Sequence, residues 1–274
     1  MKRHMLLFCW LIAGGLQLQT FSVSAEQTNE TSVLFIGNSF THYNGLPSMI
    51  TTLAKSGGHN LVCQSVTPGG STFEQHWKDG KAVGAIHARK WDFVVLQEHS
   101  MRPVDAKDLM FEYGQKLNTE IKDQGAETLL YLTWAWPKPD KQPVITAAYQ
   151  ELAKKLNATV VPVGIVWSTV LHEHPEIGLF AEDNHHPSPT GTYLAACAFY
   201  ASIYGSSPEG LTANVKGVKE AEAVLIQKMT ASVIQNSSNG DSSAEGNCAQ
   251  GQIEKVEIKT ANQSSEPTCI TLVE

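Results

Sequence analysis

Ser39 and, far along the chain from it, Asp183 and His186 carry side chains suited to acyl transfer. A serine hydroxyl is a weak nucleophile until a base takes its proton, and an imidazole does this best when a carboxylate fixes its tautomer. Asp183 and His186 stand three apart in Asp183-Asn184-His185-His186-Pro187-Ser188. One short turn at that spacing can set the carboxylate against Nδ1 and leave Nε2 for Ser39. Ser39 follows an apolar run and a glycine, in Val33-Leu34-Phe35-Ile36-Gly37-Asn38-Ser39-Phe40-Thr41. Thr41 stands where the Gly-x-Ser-x-Gly elbow would need its second glycine, so that elbow is excluded. A serine here also suits the start of a helix, and Asp183 a helix cap beside a surface histidine; residue types alone leave both readings open.

These side chains meet only if alternating elements return the chain to one edge. Val33–Gly37 reads as a strand buried on both faces, with Gly37 expected to allow a sharp turn. Gly45–Ser56 reads as a helix, with Leu46, Met49, Ile50 and Leu53 on one face. Further strands are expected at Asn60–Val66, Trp91–Gln97, Thr128–Trp134 and Ala158–Val163. Helices are expected at Phe73–Arg89 with a break near Gly80, at Pro103–Asp123 with core positions Leu109, Phe111, Tyr113 and Leu117, and at Asp140–Leu156 with Val144, Ala147, Leu152 and Leu156. Others follow at Val166–Leu171, Pro189–Tyr204 and Ala213–Gln235. Short apolar strands alternating with helices predict an α/β fold: a flavodoxin-like three-layer sandwich on a five-stranded parallel sheet of order 2-1-3-4-5. Ligands bind such sheets at the C-terminal ends of the strands, where Ser39 lies.

The flanking segments differ in kind. Residues 1–25 read as a signal peptide: Lys2 and Arg3, an apolar core from Met5 to Leu16, and a Val23-Ser24-Ala25 cleavage site. The expected location is secreted or periplasmic. No segment has the length of a membrane span. The chain carries 20 basic and 27 acidic residues. Removing the two basic residues of the signal leaves 18 against 27, a net charge of −9, which argues against nucleic acid as a partner. Cys63 and Cys197 read as core residues. From Asn236 the composition turns to Ser, Asn and Gly, a polar extension over 236–274 with a candidate small hairpin and a candidate Cys248–Cys269 disulfide.

Gly37-Asn38-Ser39 after the first strand, Gly69-x-Ser71 after the second, a polar residue after the third, and Asp183-x-x-His186-Pro187-Ser188 before the Pro189 helix resemble the SGNH (GDSL-like) hydrolase superfamily. The resemblance spans about Val33 to Gly205, within an expected hydrolase domain at 26–235. The first block, Gly-Asn-Ser-Phe-Thr, and the third, Leu-Gln-Glu-x-Ser, are similar to a secreted subgroup found near carbohydrate degradation. The resemblance implies Ser39 as nucleophile, His186 as base and Asp183 as its orienting acid. It also implies an oxyanion hole of the Ser39 N–H, the Gly69 N–H with Gly70 the alternative, and a side chain after the third strand. The family's usual Gly-x-Asn-Asp reads here Gln97-Glu98-His99-Ser100, which puts His99 at the Asn position. Gln97 is preferred on chemistry, because a neutral amide always offers N–H donors. Asn38 replaces an Asp found in many members, with local structure as its expected role.

Candidate substrate contacts are Gly70, Glu74, Trp134, Trp136 and His185; the two tryptophans could stack on a sugar or simply pack. His172, His174, His185, His186 and Asp183 match no zinc spacing, and neither metal nor cofactor is expected. The function implied is a secreted serine esterase removing O-acetyl groups from an acylated small molecule or polysaccharide. A lipid or aryl esterase, or a non-catalytic carbohydrate-binding protein on the same fold, are the alternatives.

Overall fold

In the computed structural model, residues 30–136, 139–212 and 215–240 are described. The expected signal peptide, hairpin and Cys248–Cys269 pair lie outside them. The chain divides into two units, 1–234 and 235–274. The second is described only where it ends the last helix.

Five parallel strands, β1 (Thr31–Ile36), β2 (Leu61–Val66), β3 (Phe93–Leu96), β4 (Glu127–Tyr131) and β5 (Thr159–Val161), form one sheet of order β2-β1-β3-β4-β5. The fold is the expected three-layer α/β sandwich. Strand β1, paired on both edges, explains why. Val33 and Phe35 point into one apolar core and Leu34 and Ile36 into the other, all four fully buried. An unbroken apolar run suits a strand covered on both faces. On one side pack α2 (Leu46–Ser56), α8 (Val163–Glu173), α9 (Pro189–Tyr204) and the start of α10 (Glu220–Gly240). On the other pack α3 (Phe73–Asp79), α4 (Lys81–His87), α6 (Lys107–Asp123) and α7 (Gln142–Leu156). Two single-turn helices, α1 (Ser39–His42) and α5 (Arg102–Asp105), follow β1 and β3.

Several boundaries and core positions move. On α6 the buried stripe is Met110, Tyr113, Leu117 and Ile121, at helical period; Leu109 and Phe111 lie one position to either side and are only half-buried. On α7, Val144 is 48% exposed, while Ile145, Tyr149, Leu152 and Leu156 face the core. β4 stops at Tyr131, three residues before the expected end, because β5 beside it is only three residues long before Pro162, which has no N–H for the ladder. The helix expected at Ala213–Gln235 begins at Glu220 and runs to Gly240, into the expected linker. α8 is longer than expected, starting at Val163.

Candidate active site

Ser39 is the first residue of α1, at the C-terminal end of β1. Asn38 caps that helix: its Oδ1 accepts from the Phe40 N–H at 3.1 Å. Its Nδ2 donates to the Ser71 carbonyl at 2.9 Å, which ties the first sequence block to the second. As the first helical residue, Ser39 has no intrahelical acceptor for its own N–H.

Gln97 lies beneath this turn and is fully buried. Its Oε1 accepts from the Asn38 N–H at 2.8 Å and the Thr41 hydroxyl at 2.9 Å. A backbone N–H only donates, so the oxygen must face the turn, and Nε2 then donates to the Glu98 carbonyl at 2.6 Å. The preference for Gln97 as oxyanion donor is corrected: its amide is spent bracing the Ser39 turn. The role expected of Gly37 changes for the same reason. Its φ is not in the left-handed region. A Cβ there would lie 2.5 Å from Thr41 Oγ1 and 2.6 Å from Gln97 Oε1. Gly37 makes room for the brace rather than bending the chain.

After β2, the Ser71 N–H bonds to the Pro68 carbonyl at 3.3 Å and Gly70 has φ +69°, as the third residue of a type II turn requires. Gly70, not Gly69, lines a cleft with Asn38, Ser39, Phe40, His99, Ser100 and His185. The cleft is small, about 40 Å³. Of the two third-block candidates, His99 therefore reaches the cleft and Gln97 does not. Burial and the nearby Arg102 charge lower the His99 pKa, which favours a neutral ring with one N–H donor.

The loop before α9 closes on itself. Ala181 N–H bonds to the His186 carbonyl and Ser188 N–H to the Leu179 carbonyl. Ser188 caps α9 by accepting from the Gly191 N–H. Within the loop, Asp183 Oδ1 accepts from the His185 and His186 N–H groups, both at 2.9 Å, and Oδ2 lies 2.6 Å from His186 Nδ1. The bond to His186 is the largest of the contacts holding the Asp183 carboxyl far below the usual carboxylate range. A carboxylate on Nδ1 makes that nitrogen the N–H donor and leaves Nε2 unprotonated in the neutral ring.

The His186 ring lies at the Ser39 turn. Its centroid is 5.9 Å from the Phe40 ring, edge to face, and 4.2 Å from the Tyr43 ring, nearly parallel at 9°. Ser39, Asp183 and His186 are thus gathered at one end of the sheet, though among the described residues no hydrogen bond joins Ser39 Oγ to His186.

Other candidates separate. Trp134 is 1% exposed, stacked between Phe40 and Trp167, with its N–H on the His185 carbonyl; it supports the His loop from inside and is corrected as a substrate contact. Trp136 is half-buried and stacks on His185 at 4.2 Å, and His185 lines the cleft. Glu74 pairs with Lys78 and Arg102, away from the cleft. His76 is buried and donates Nε2–H to the Gly37 carbonyl at 2.8 Å, a second strut under the turn. Among the described residues, no group of three or more His, Cys, Asp and Glu is placed to hold a metal ion, and no helix is long and apolar enough to cross a membrane.

Three residues of consequence went unread in the sequence. Tyr43 covers one face of His186, and Asn44 donates to Pro187 O and Thr192 Oγ1. Glu98 is 1% exposed and accepts from the Phe73 and His99 N–H groups; burial pushes its carboxyl up to about 7. The Asn44-Gly45 pair was a legible signal, since both residue types accept left-handed backbone. A glutamate after an apolar strand gives no such sign.

No family model and no curated protein matches the sequence. Solved structures do match. A protein of Slackia heliotrinireducens assigned to the SGNH hydrolases is 24% identical, with a TM-score of 0.56 over 64% of this chain and 100% of that one. A DUF4886 family protein of Bacteroides uniformis is 16% identical, with a TM-score of 0.64 over 76% of this chain and 95% of that one. An acetyl-xylooligosaccharide esterase of a Geobacillus species is 17% identical, with a TM-score of 0.54 over 65% and 96%. The chain has the fold of the SGNH hydrolases.

Proposed function

We propose that this chain is a secreted serine esterase that removes acetyl or similarly short acyl groups from carbohydrate. One observation carries the reading: His186, bonded to Asp183 through Nδ1, packs its ring against Phe40 and Tyr43 of the turn that begins with Ser39. In this mechanism Ser39 Oγ attacks the acyl carbonyl and His186 Nε2 takes its proton. Charge develops on the carbonyl oxygen, and the Ser39 N–H, the Gly70 turn and the His99 ring surround it. Collapse of the tetrahedral species releases the sugar hydroxyl, which takes the proton back from His186. Water then repeats the sequence on the acyl-enzyme and frees the acid.

The cleft supports a short acyl group. At about 40 Å³, with Phe40 and His185 in its lining, the cleft suits a small acyl group better than a long chain. Carbohydrate is supported by the half-buried Trp136 beside His185, by the acetyl-xylooligosaccharide esterase named above, and by the exported character read from residues 1–25.

The test uses p-nitrophenyl acetate and acetylated xylo-oligosaccharides with the purified chain. Ser39→Ala is expected to lower kcat by on the order of 10³-fold or more on both. Equal rates for the variant and the parent would end the esterase reading. Activity on the aryl ester with no acetate released from any acetylated sugar would end the carbohydrate reading alone.

A further inference from the structure

Resting on that assignment of His186, we infer that Tyr43 and Asn44 form a clamp through which the nucleophile's own turn positions the base. The clamp starts directly after α1, in the single 3-10 turn Tyr43–Gly45. Asn44 adopts left-handed backbone (φ 51°, ψ 16°), and Gly45 follows it there at φ 68°. This reversal throws the Asn44 side chain outward across the gap to the His loop. Its Nδ2 donates to the Pro187 carbonyl at 2.8 Å and to Thr192 Oγ1 at 2.9 Å. Pro187 directly follows His186 and Thr192 lies in the first turn of α9. One amide thereby holds both the end of the His loop and the start of the helix it leads into. A non-glycine residue in this conformation is uncommon and is retained where the surroundings enforce it.

Tyr43 completes the device. Its ring lies parallel to His186 at 4.2 Å, while Asp183 holds the ring's Nδ1 edge. Among the described residues, His185 also lies beside this ring, at 4.7 Å between centroids, and His99 acts in turn on His185. His42 stacks behind Tyr43 at 6.3 Å. When His186 takes the Ser39 proton it becomes a cation against an aromatic face, and such a face attracts a cation. Stacking therefore fixes the ring's orientation and holds the cation formed during the reaction. Asp183 and Tyr43 divide the work: the carboxylate sets the tautomer, and the aromatic face sets the plane. Tyr43 and Asn44 are positioning residues, acting on the reacting atoms only through His186.

The geometry separates the two members experimentally. Asn44→Gly keeps the left-handed backbone and removes the amide, so it tests the tether without imposing strain. Tyr43→Leu removes the aromatic face, and Tyr43→Phe retains it. For Tyr43→Leu, kcat on p-nitrophenyl acetate is expected to fall about 2- to 30-fold, the range of a cation–aromatic contact. KM should change little. Tyr43→Phe should restore kcat most of the way. The His186 ring protons should lose the ring-current shift of a stacked aromatic in Tyr43→Leu and keep it in Tyr43→Phe, an NMR readout independent of turnover. Asn44→Gly should lower kcat with KM little changed.

His186→Ala in the same series keeps the two readings apart. If it leaves activity intact, the assignment of the base fails. If it abolishes activity while Tyr43→Leu leaves kcat and the His186 ring-proton shifts where they were, the clamp alone is overturned. A Tyr43→Phe protein that is folded by circular dichroism yet as slow as Tyr43→Leu would likewise reject the role of the aromatic face.

Discussion

Two neighbouring residues after β3 show how identity and environment part company. Gln97 has the better donor chemistry on paper, yet its oxygen is committed to the Asn38 N–H and the Thr41 hydroxyl, and its nitrogen to the Glu98 carbonyl. His99, two residues on, faces the cleft. The two should respond in opposite ways to substitution. Gln97→Leu leaves buried donors unpaired, which costs about 1–3 kcal/mol for each such group. Its unfolding midpoint should drop clearly. His99→Ala should lower kcat by about 10²- to 10³-fold, as removal of one oxyanion donor does, with the midpoint almost unchanged. Thermal melts beside steady-state kinetics separate them. A Gln97 variant with a parental midpoint would show that the brace is dispensable.

At the scale of elements, the site is assembled where four loops are tied together by single side chains. Asn38 caps α1 and reaches Ser71 after β2; Glu98 accepts from Phe73 at the start of α3 and from His99 after β3; Asn44 joins the Ser39 turn to the His loop and α9. Asn38 is the instructive case, because an Asp is common at this position in the family the sequence resembles. Here the side chain must donate to a carbonyl, which a carboxylate cannot do. Asn38→Asp keeps the cap and sets a buried carboxylate against the Ser71 oxygen. The expected loss is about 1–3 kcal/mol. A denaturation midpoint equal to the parent's would contradict this.

For the whole molecule, the buried Glu98 gives stability a pH dependence opposite to that of most carboxylates. Its carboxyl is pushed from about 4.5 to about 7, mainly by burial, with the neighbouring Glu74 adding and Arg102 opposing. Between those values the folded state holds the proton and the unfolded state has lost it. The folded chain therefore binds more protons, and this contribution falls as pH rises from about 4.5 to about 7. Asp183 acts in the other sense: its pKa is depressed by folding, so its contribution is present above the ordinary carboxylate range and is lost as pH falls through it. Glu98→Gln keeps an acceptor for the Phe73 and His99 N–H groups and removes the titration. Its urea midpoint should vary less between pH 5 and pH 7.5 than the parent's. An identical slope in both proteins would place the origin of the dependence elsewhere.

The sequence by itself determined the alternation of elements and the places of Ser39, Asp183 and His186 in the chain, and the alternation carried the expectation of the strand order. These follow from local facts: apolar runs with a period, proline and glycine at element ends, and polar residues where strands stop. What the tertiary structure decided were contacts between segments distant in sequence. The Gln97 amide turned toward Asn38 and Thr41, Gly70 rather than Gly69 at the cleft, Trp134 packed inward, and Tyr43 laid against His186 are of this kind. A side chain's donors and acceptors are known from its type. Which of them remain free for a substrate depends on every neighbour that folding brings against it, and only the assembled structure fixes those neighbours.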